Sequence, residues 1–388
     1  KWPDTQDCKD AANALAARLA GERDLRNALN PLDVDHVLNA LSKWPDTPVC
    51  ATVTEALAAR LVDDPTLCND LDPQGLANAL NALSKWPDTA LCAAAIATLA
   101  ARLSDDPGLC DALEGQHMTN ALNALSKWPD VPRCVAGVEA LAARLANDAG
   151  LCGALEPPEV AIALNALSKW PDTPDCKEAA NALASRLADD PGLCNDLDPQ
   201  GVANALNALS KWPASALCAA AVKALASRLA DDPGLRDALK GQHMANVLNA
   251  LSKWPDVPRC VAGVEALAAR LADDPGLCNT LDPQGVANVL NALSKWPDAP
   301  DCKNAATALA SRLANDRDLC NGLAPQCVSN VLNALSKWPD MPDCKDAATA
   351  LASRLAGDPN LCNDLDPQGV SNVLNALSKW PDTPDCKG

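Results

Sequence analysis

"KWPDTPDCKEAANALASRLADDPGLCNDLDPQGVANALNALS", residues 169–210, is the stretch whose reading decides the fold. In it an aspartate precedes a proline by one or two positions three times: Asp172 with Pro174, Asp190 with Pro191, and Asp198 with Pro199. An aspartate can accept the free N–H groups of a first helical turn, and proline suits the first helical position because its missing N–H would have no partner there. Three helix starts are therefore expected. The first helix should run over about 174–188, where Cys176, Ala180, Leu183 and Leu187 fall at spacings of 4, 3 and 4 on one face. "DDPG" breaks it, and a short helix carrying Leu193 and Leu197 follows. The last should run over about 199–211, with Val202, Ala205, Leu206 and Leu209 turned inward, and stop before Pro213.

The same phrase recurs along the whole chain. Tryptophans stand at 2, 44, 86, 128, 170, 212, 254, 296, 338 and 380, each 42 residues from the next with nothing inserted or lost. Nine complete units start at about 1, 43, 85, 127, 169, 211, 253, 295 and 337, and residues 379–388 open another. No linker interrupts them, so residues 1–388 read as one array. Two longer helices and one short helix in each 42-residue repeat predict an all-α fold, a right-handed α-solenoid of the armadillo or HEAT kind. No unit can bury its apolar faces alone, so each must stack on its neighbours. The chain opens on "KWPDTQDCKD" and closes on "KWPDTPDCKG", in mid-unit at both ends, and reads as a segment of a longer protein. "VPRCVAGVEALAARLA" at 131–146 and again at 257–272 marks a further period of three units, as duplication of three-unit blocks would leave.

Composition narrows the function classes. Phe and Tyr are absent, so Leu, Ala, Val and Cys must fill the interior. A formal charge of -18 opposes nonspecific attraction to phosphate. No apolar run of about 18 residues provides a membrane span, and no signal peptide opens the sequence.

The candidate binding residues lie on the last helix of each unit. Gln200, Asn204, Asn207 and Lys211, spaced by 4, 3 and 4, form a polar stripe opposite Val202, Leu206 and Leu209. Its copies are Gln74, Asn78, Asn81 and Lys85; Gln116, Asn120, Asn123 and Lys127; Gln242, Asn246, Asn249 and Lys253; Gln284, Asn288, Asn291 and Lys295; Gln326, Asn330, Asn333 and Lys337; and Gln368, Asn372, Asn375 and Lys379. The Asn207 position is asparagine in every unit, whereas His36 and Ile162 replace the Asn204 type. An amide both donates and accepts, and stacked units would align these amides into a ladder suited to a regularly spaced backbone. The alternative is structural: the amides would satisfy helix-end carbonyls and hold units in register, with Lys211 favoured by its helix dipole.

Other residues read as structural. Trp212 falls at the edge of the apolar stripe, where packing between units outweighs a base-stacking platform. Arg186, followed by Asp189 and Asp190, reads as a local ion-pair or carbonyl donor. The eighteen cysteines occupy the Cys176 position, the Cys194 position and Cys327, and Arg26 and Arg236 replace the second type in two units. Regular pairing within units would leave Cys8 and Cys218 alone, and no CxxC spacing or His cluster completes a zinc site, so buried reduced thiols are expected. His36, His117 and His243 have no nucleophile to serve. No catalytic residue, cofactor or metal is expected.

The phrase "LNALSKWP" and the 42-residue period resemble the SKWP-repeat family of type III secreted effectors of plant-pathogenic bacteria, through Ser210, Lys211, Trp212, Pro213 and their copies. The resemblance implies injection into the cytoplasm or nucleus of a host cell, an α-solenoid, and a virulence role through host partners. "LDPQGVANALNALSKW" is also similar to octotricopeptide-type repeats, which bind RNA, and would place base-selecting positions at Gln200, Gly201 and Asn204. Asn207 stands where that class carries an aromatic. Armadillo proteins offer a third likeness, in which helix asparagines grip an extended peptide. The expected function is a non-enzymatic, monomeric scaffold that binds a host protein or extended peptide along its concave surface. Single-stranded RNA recognition and a passive spacer are the alternatives.

Overall fold

A computed structural model of the chain describes residues 5–86 and 89–380. Twenty-seven helices and no strand occur among the described residues, three helices to each 42-residue unit, as the sequence predicts. Two compact units follow one another along the chain, Lys1–Arg186 and Leu187–Gly388.

In the first unit the long helices α1 (Gln6–Gly21), α4 (Pro48–Asp63), α7 (Ala90–Asp105) and α10 (Pro132–Asn147) pack in sequence as one layer. The last helices of the repeats, α3 (Pro31–Leu41), α6 (Pro73–Leu83), α9 (Gly115–Leu125) and α12 (Pro157–Leu167), pack in sequence as a second layer. In the second unit α16 (Ala216–Asp231), α19 (Pro258–Asp273), α22 (Pro300–Asn315) and α25 (Pro342–Gly357) form the first layer. There α15 (Pro199–Leu209), α18 (Gly241–Leu251), α21 (Pro283–Leu293), α24 (Pro325–Leu335) and α27 (Pro367–Leu377) form the second. Short helices such as α8 (Pro107–Asp111), α14 (Pro191–Asp196) and α20 (Pro275–Asn279) join the layers.

The core between the layers is small-grained. Cys176, Leu183, Leu187, Val202, Leu206 and Leu209 are all fully buried. Close approach matters most at Gly137, where an added Cβ would lie 3.0 Å from the carbonyl oxygen of Ala100 on the preceding long helix.

Two of the three expected aspartate caps form. Asp190 Oδ1 accepts from the Leu193 N–H at 3.0 Å, and Asp198 Oδ1 accepts from Gly201 at 2.6 Å. The Asp172 type does not act this way. In other units Thr47, Thr89, Val131 and Val257 stand at the N-cap of the long helix, and none makes a side-chain capping bond. The aspartate sits one residue too early, inside the turn after Trp-Pro; proline opens the helices at Pro48, Pro132 and Pro258, whereas Ser215 caps the helix that begins at Ala216 through a bond from the Cys218 N–H.

The last helix also ends sooner than its sequence suggests. It stops at Leu209, and Lys211 and Trp212 lie in a tight turn whose N–H groups reach back to Ala208 and Leu209. The Ser210 hydroxyl donates to the Asn207 carbonyl at 2.7 Å, and the same bond recurs from Ser42 to Ser378 in every unit. Serine thus closes the helix end three residues before Pro213 would have to break it.

Candidate functional site

Each copy of the polar stripe occupies the outer face of a second-layer helix, except its lysine, which extends from the turn beyond. Gln74, Gln116, Gln200, Gln242, Gln284, Gln326 and Gln368 are exposed. The Asn204-type residues Asn78, Asn120, Asn204, Asn246, Asn288, Asn330 and Asn372 are half-buried. So are Asn81, Asn123, Asn207, Asn249, Asn291 and Asn333, and Asn375 is exposed. Lys85, Lys127, Lys211, Lys253, Lys295, Lys337 and Lys379 are exposed. No side chain of the stripe is fully buried.

Local bonds order parts of the row. Gln284 Nε2 donates to Asn288 Oδ1 at 3.1 Å, and Gln326 Nε2 to Asn330 Oδ1 at 3.3 Å, each one helical turn on. Asn78 differs, because its Nδ2 donates to Asp35 Oδ2 of the preceding repeat at 3.3 Å. Lys127 bends back so that Nζ donates to the Ser84 carbonyl at 2.7 Å and to Ser84 Oγ at 3.1 Å. Desolvation there, with Lys85 nearby, lowers its pKa.

The tryptophans pack between repeats. Trp86, Trp170, Trp338 and Trp380 are buried, and each indole Nε1 donates to the carbonyl of the proline at the matching corner one repeat earlier: Pro45, Pro129, Pro297 and Pro339, at 2.8–3.1 Å. A base-stacking platform is excluded at these positions, because the ring faces are covered. Trp254 is equally buried but its Nε1 has no partner. Its acceptor would be Pro213, in the corner where Ala214 replaces the aspartate of the other units.

Arg186 is a carbonyl donor, though not a local one. Its Nη1 reaches the Cys152 and Leu155 carbonyls of the preceding repeat at 2.8 and 2.5 Å. Arg102, Arg228 and Arg312 repeat the arrangement. Each guanidinium thus satisfies the free carbonyls at the end of its neighbour's short helix, where the helix dipole is negative.

Among the described residues the cysteines form no disulfide and, apart from Cys8 and the exposed Cys362, are buried. Burial pushes Cys176, Cys302 and Cys344 up to about 12, with nearby carboxylates adding to the effect. The second cysteine type faces a helix-end carbonyl: Cys278 Sγ lies 3.0 Å from the Leu271 oxygen. Arg236, which replaces it in another unit, sends Nη1 to the equivalent Leu229 oxygen at 2.7 Å.

No three His, Cys, Asp or Glu side chains stand together as a metal site among the described residues. No helix is long and apolar enough to cross a membrane. His243 is half-buried, with burial and Lys240 lowering its pKa and Asp198 opposing them. One residue escaped the sequence reading altogether. Asp35, only 3% exposed, occupies a position held by buried alanine in Ala77, Ala161, Ala203, Ala245 and Ala287, and its Oδ1 has no partner.

No protein-family model and no curated protein matches the chain. Among solved structures it is similar to the RNA-binding domain of yeast Puf5p bound to AAT2 RNA, at 11% identity over 93% of this chain and 96% of that one, TM-score 0.19. It is also similar to the pentatricopeptide repeat protein PPR10 in complex with an 18-nt psaJ RNA element, at 14% identity over 94% and 64%, TM-score 0.20. A third is SYS-1, at 11% identity over 96% and 93%, TM-score 0.19. At such scores the likenesses carry no argument about ligands.

Proposed function

We propose that the chain is a binding scaffold without catalytic chemistry, which takes a protein partner in extended conformation along the amide row of its second-layer helices. The observation that carries this reading is the accessibility of the asparagine ladder: every Asn207-type side chain is half-buried or exposed, between an exposed glutamine and an exposed lysine in seven units. Half-burial holds the amide in place, while the open part keeps donor and acceptor free for a backbone. The likeness of "LNALSKWP" to SKWP-repeat effectors supports a host protein as the partner and injection as the route. The formal charge of -18 and the covered tryptophans favour protein over single-stranded RNA.

The test replaces Asn249, Asn291 and Asn333 together by Ala. Extended peptides selected from a random library on the unaltered chain should bind the variant at least about tenfold more weakly, with its helical signal and unfolding midpoint unchanged. Equal affinity rejects the row as the binding surface. A salt-sensitive mobility shift with single-stranded RNA, lost in the variant, would transfer the same row to the RNA reading.

A further inference from the structure

The first layer carries a different surface. Between α7, α8 and α10 lies a cleft of about 480 Å³ walled by Leu103, Pro107, Ala140 and Ala143. One repeat earlier a cleft of about 360 Å³ is built from the same positions, with Val62, Pro65, Thr98 and Ala101 as walls. The guanidinium at each floor, Arg144 or Arg102, spends its Nη1 on short-helix carbonyls. The rims are acidic. Asp111 is 75% exposed and 4.0 Å from Arg144 Nε, Asp148 caps the next short helix, and Asp105 and Asp106 stand at the earlier cleft. Each cleft thus has an apolar throat, a base already committed to backbone oxygens, and one more acid than base in its lining.

An apolar throat with an acidic mouth fits a side chain that is aliphatic along its stem and cationic at its tip. Packed helices lie about 8–10 Å apart, and one turn of polyproline II chain, three residues at about 3.1 Å each, spans about 9 Å and returns the side chain to the same face, so consecutive clefts match every third side chain of a polyproline II segment. We propose that these two clefts bind a basic segment of a protein partner, with arginine or lysine spaced by three residues. This surface is separate from the amide row and does not depend on its function. The second compact unit contains a comparison. The cleft lined by Leu187, Pro191 and Ala224 keeps an acidic excess in Asp231, Asp232 and Arg228, whereas the cleft at Arg317 and Arg354 has only Asp358 to oppose two bases. The last should refuse a cation.

The experiment measures anisotropy of a fluorescent twelve-residue peptide with arginine at every third position, titrated with the full chain at low salt. A peptide of identical composition with its arginines contiguous, and one with glutamate for arginine, are the comparisons. The spaced peptide should bind best and the glutamate peptide not at all. Replacing both Asp105 and Asp111 by Asn should weaken the spaced peptide at least about threefold. Ala143→Leu, which fills the throat and leaves every charge in place, should weaken it too, while the Asn249, Asn291 and Asn333 alanine variant should bind it unchanged. Equal binding of the two arginine peptides, or indifference to Ala143→Leu, would reduce the effect to general charge attraction and overturn the proposal. Unchanged affinity in the Asp105 and Asp111 variant would overturn it as well.

Discussion

Trp338 and Trp254 offer a paired measurement of what one hydrogen bond between repeats contributes. Both indoles are buried at the same corner of their repeats, 4% and 6% exposed, and both lie in the second compact unit. Trp338 donates to the Pro297 carbonyl at 2.8 Å, whereas the Trp254 N–H is buried without an acceptor. Replacing either by Phe removes a similar apolar area, so that cost cancels in the difference. Trp338→Phe also loses a hydrogen bond with a net contribution of about 1 kcal/mol and leaves a carbonyl short of its donor. Trp254→Phe instead removes an unsatisfied donor whose burial costs about 1–3 kcal/mol. The two variants should therefore differ by about 2 kcal/mol or more, with Trp338→Phe the less stable. Urea unfolding followed by circular dichroism reads the whole chain, and hydrogen exchange of the amides around residues 297–302 and 213–218 reads each corner separately. Equal losses for the two variants would show that the indole N–H contributes nothing across the repeat boundary, and the bonding pattern would then be a by-product of ring packing.

Three other outcomes follow from the same geometry. Arg312→Met should lose about 3 kcal/mol, because one guanidinium nitrogen serves two carbonyls of the preceding repeat, while Arg259→Met, which breaks an exposed pair with Asp231, should lose under about 0.5 kcal/mol; urea unfolding compares them. Asp35→Ala should stabilise the chain by about 1–3 kcal/mol, measured by thermal unfolding. Burial raises the Asp35 pKa, against a bond from Asn78, so the folded state holds its proton longer than the unfolded state; stability should fall as pH rises from the ordinary carboxylate range through the raised value, and Asp35→Ala should remove that slope. Cys176, Cys302 and Cys344, with pKa values of about 12, should resist iodoacetamide at pH 8 until urea opens the repeats, whereas the exposed Cys362 should react at once; peptide mass spectrometry checks the order.

The helices and the stripe were legible in the sequence because both depend on local pattern. Pro191 and Pro199 mark helix starts through their own backbone chemistry, and the spacing of Gln200, Asn204 and Asn207 fixes a common face whatever lies beyond it. What escaped depends on partners far away in the chain. Arg186 looks like the companion of Asp189 and Asp190, yet it reaches Cys152, 34 residues back, because stacking brings the preceding short helix beneath it. The tryptophan acceptor, 41 residues back, is hidden for the same reason. Lys211 lies past its helix because the Ser210 hydroxyl competes for a carbonyl, a contest that helical periodicity does not register. Asp35 could have been noticed as the one charged residue in a column of alanine, serine and threonine. A repeat tells which positions are equivalent, but the column reveals burial only when the neighbouring helix is in place.

The links that arginine, and at several corners tryptophan, makes across repeat boundaries bear on how the chain responds to force. Both run from one repeat to the one before it, so tension drawn along residues 187–380 meets an arginine–carbonyl link at successive boundaries. Extension should proceed in steps, each releasing one 42-residue unit and about 140–150 Å of contour length. Repeats would yield one at a time at comparable loads, first at the boundary where Trp254 has no acceptor, and re-form in register when the load is removed.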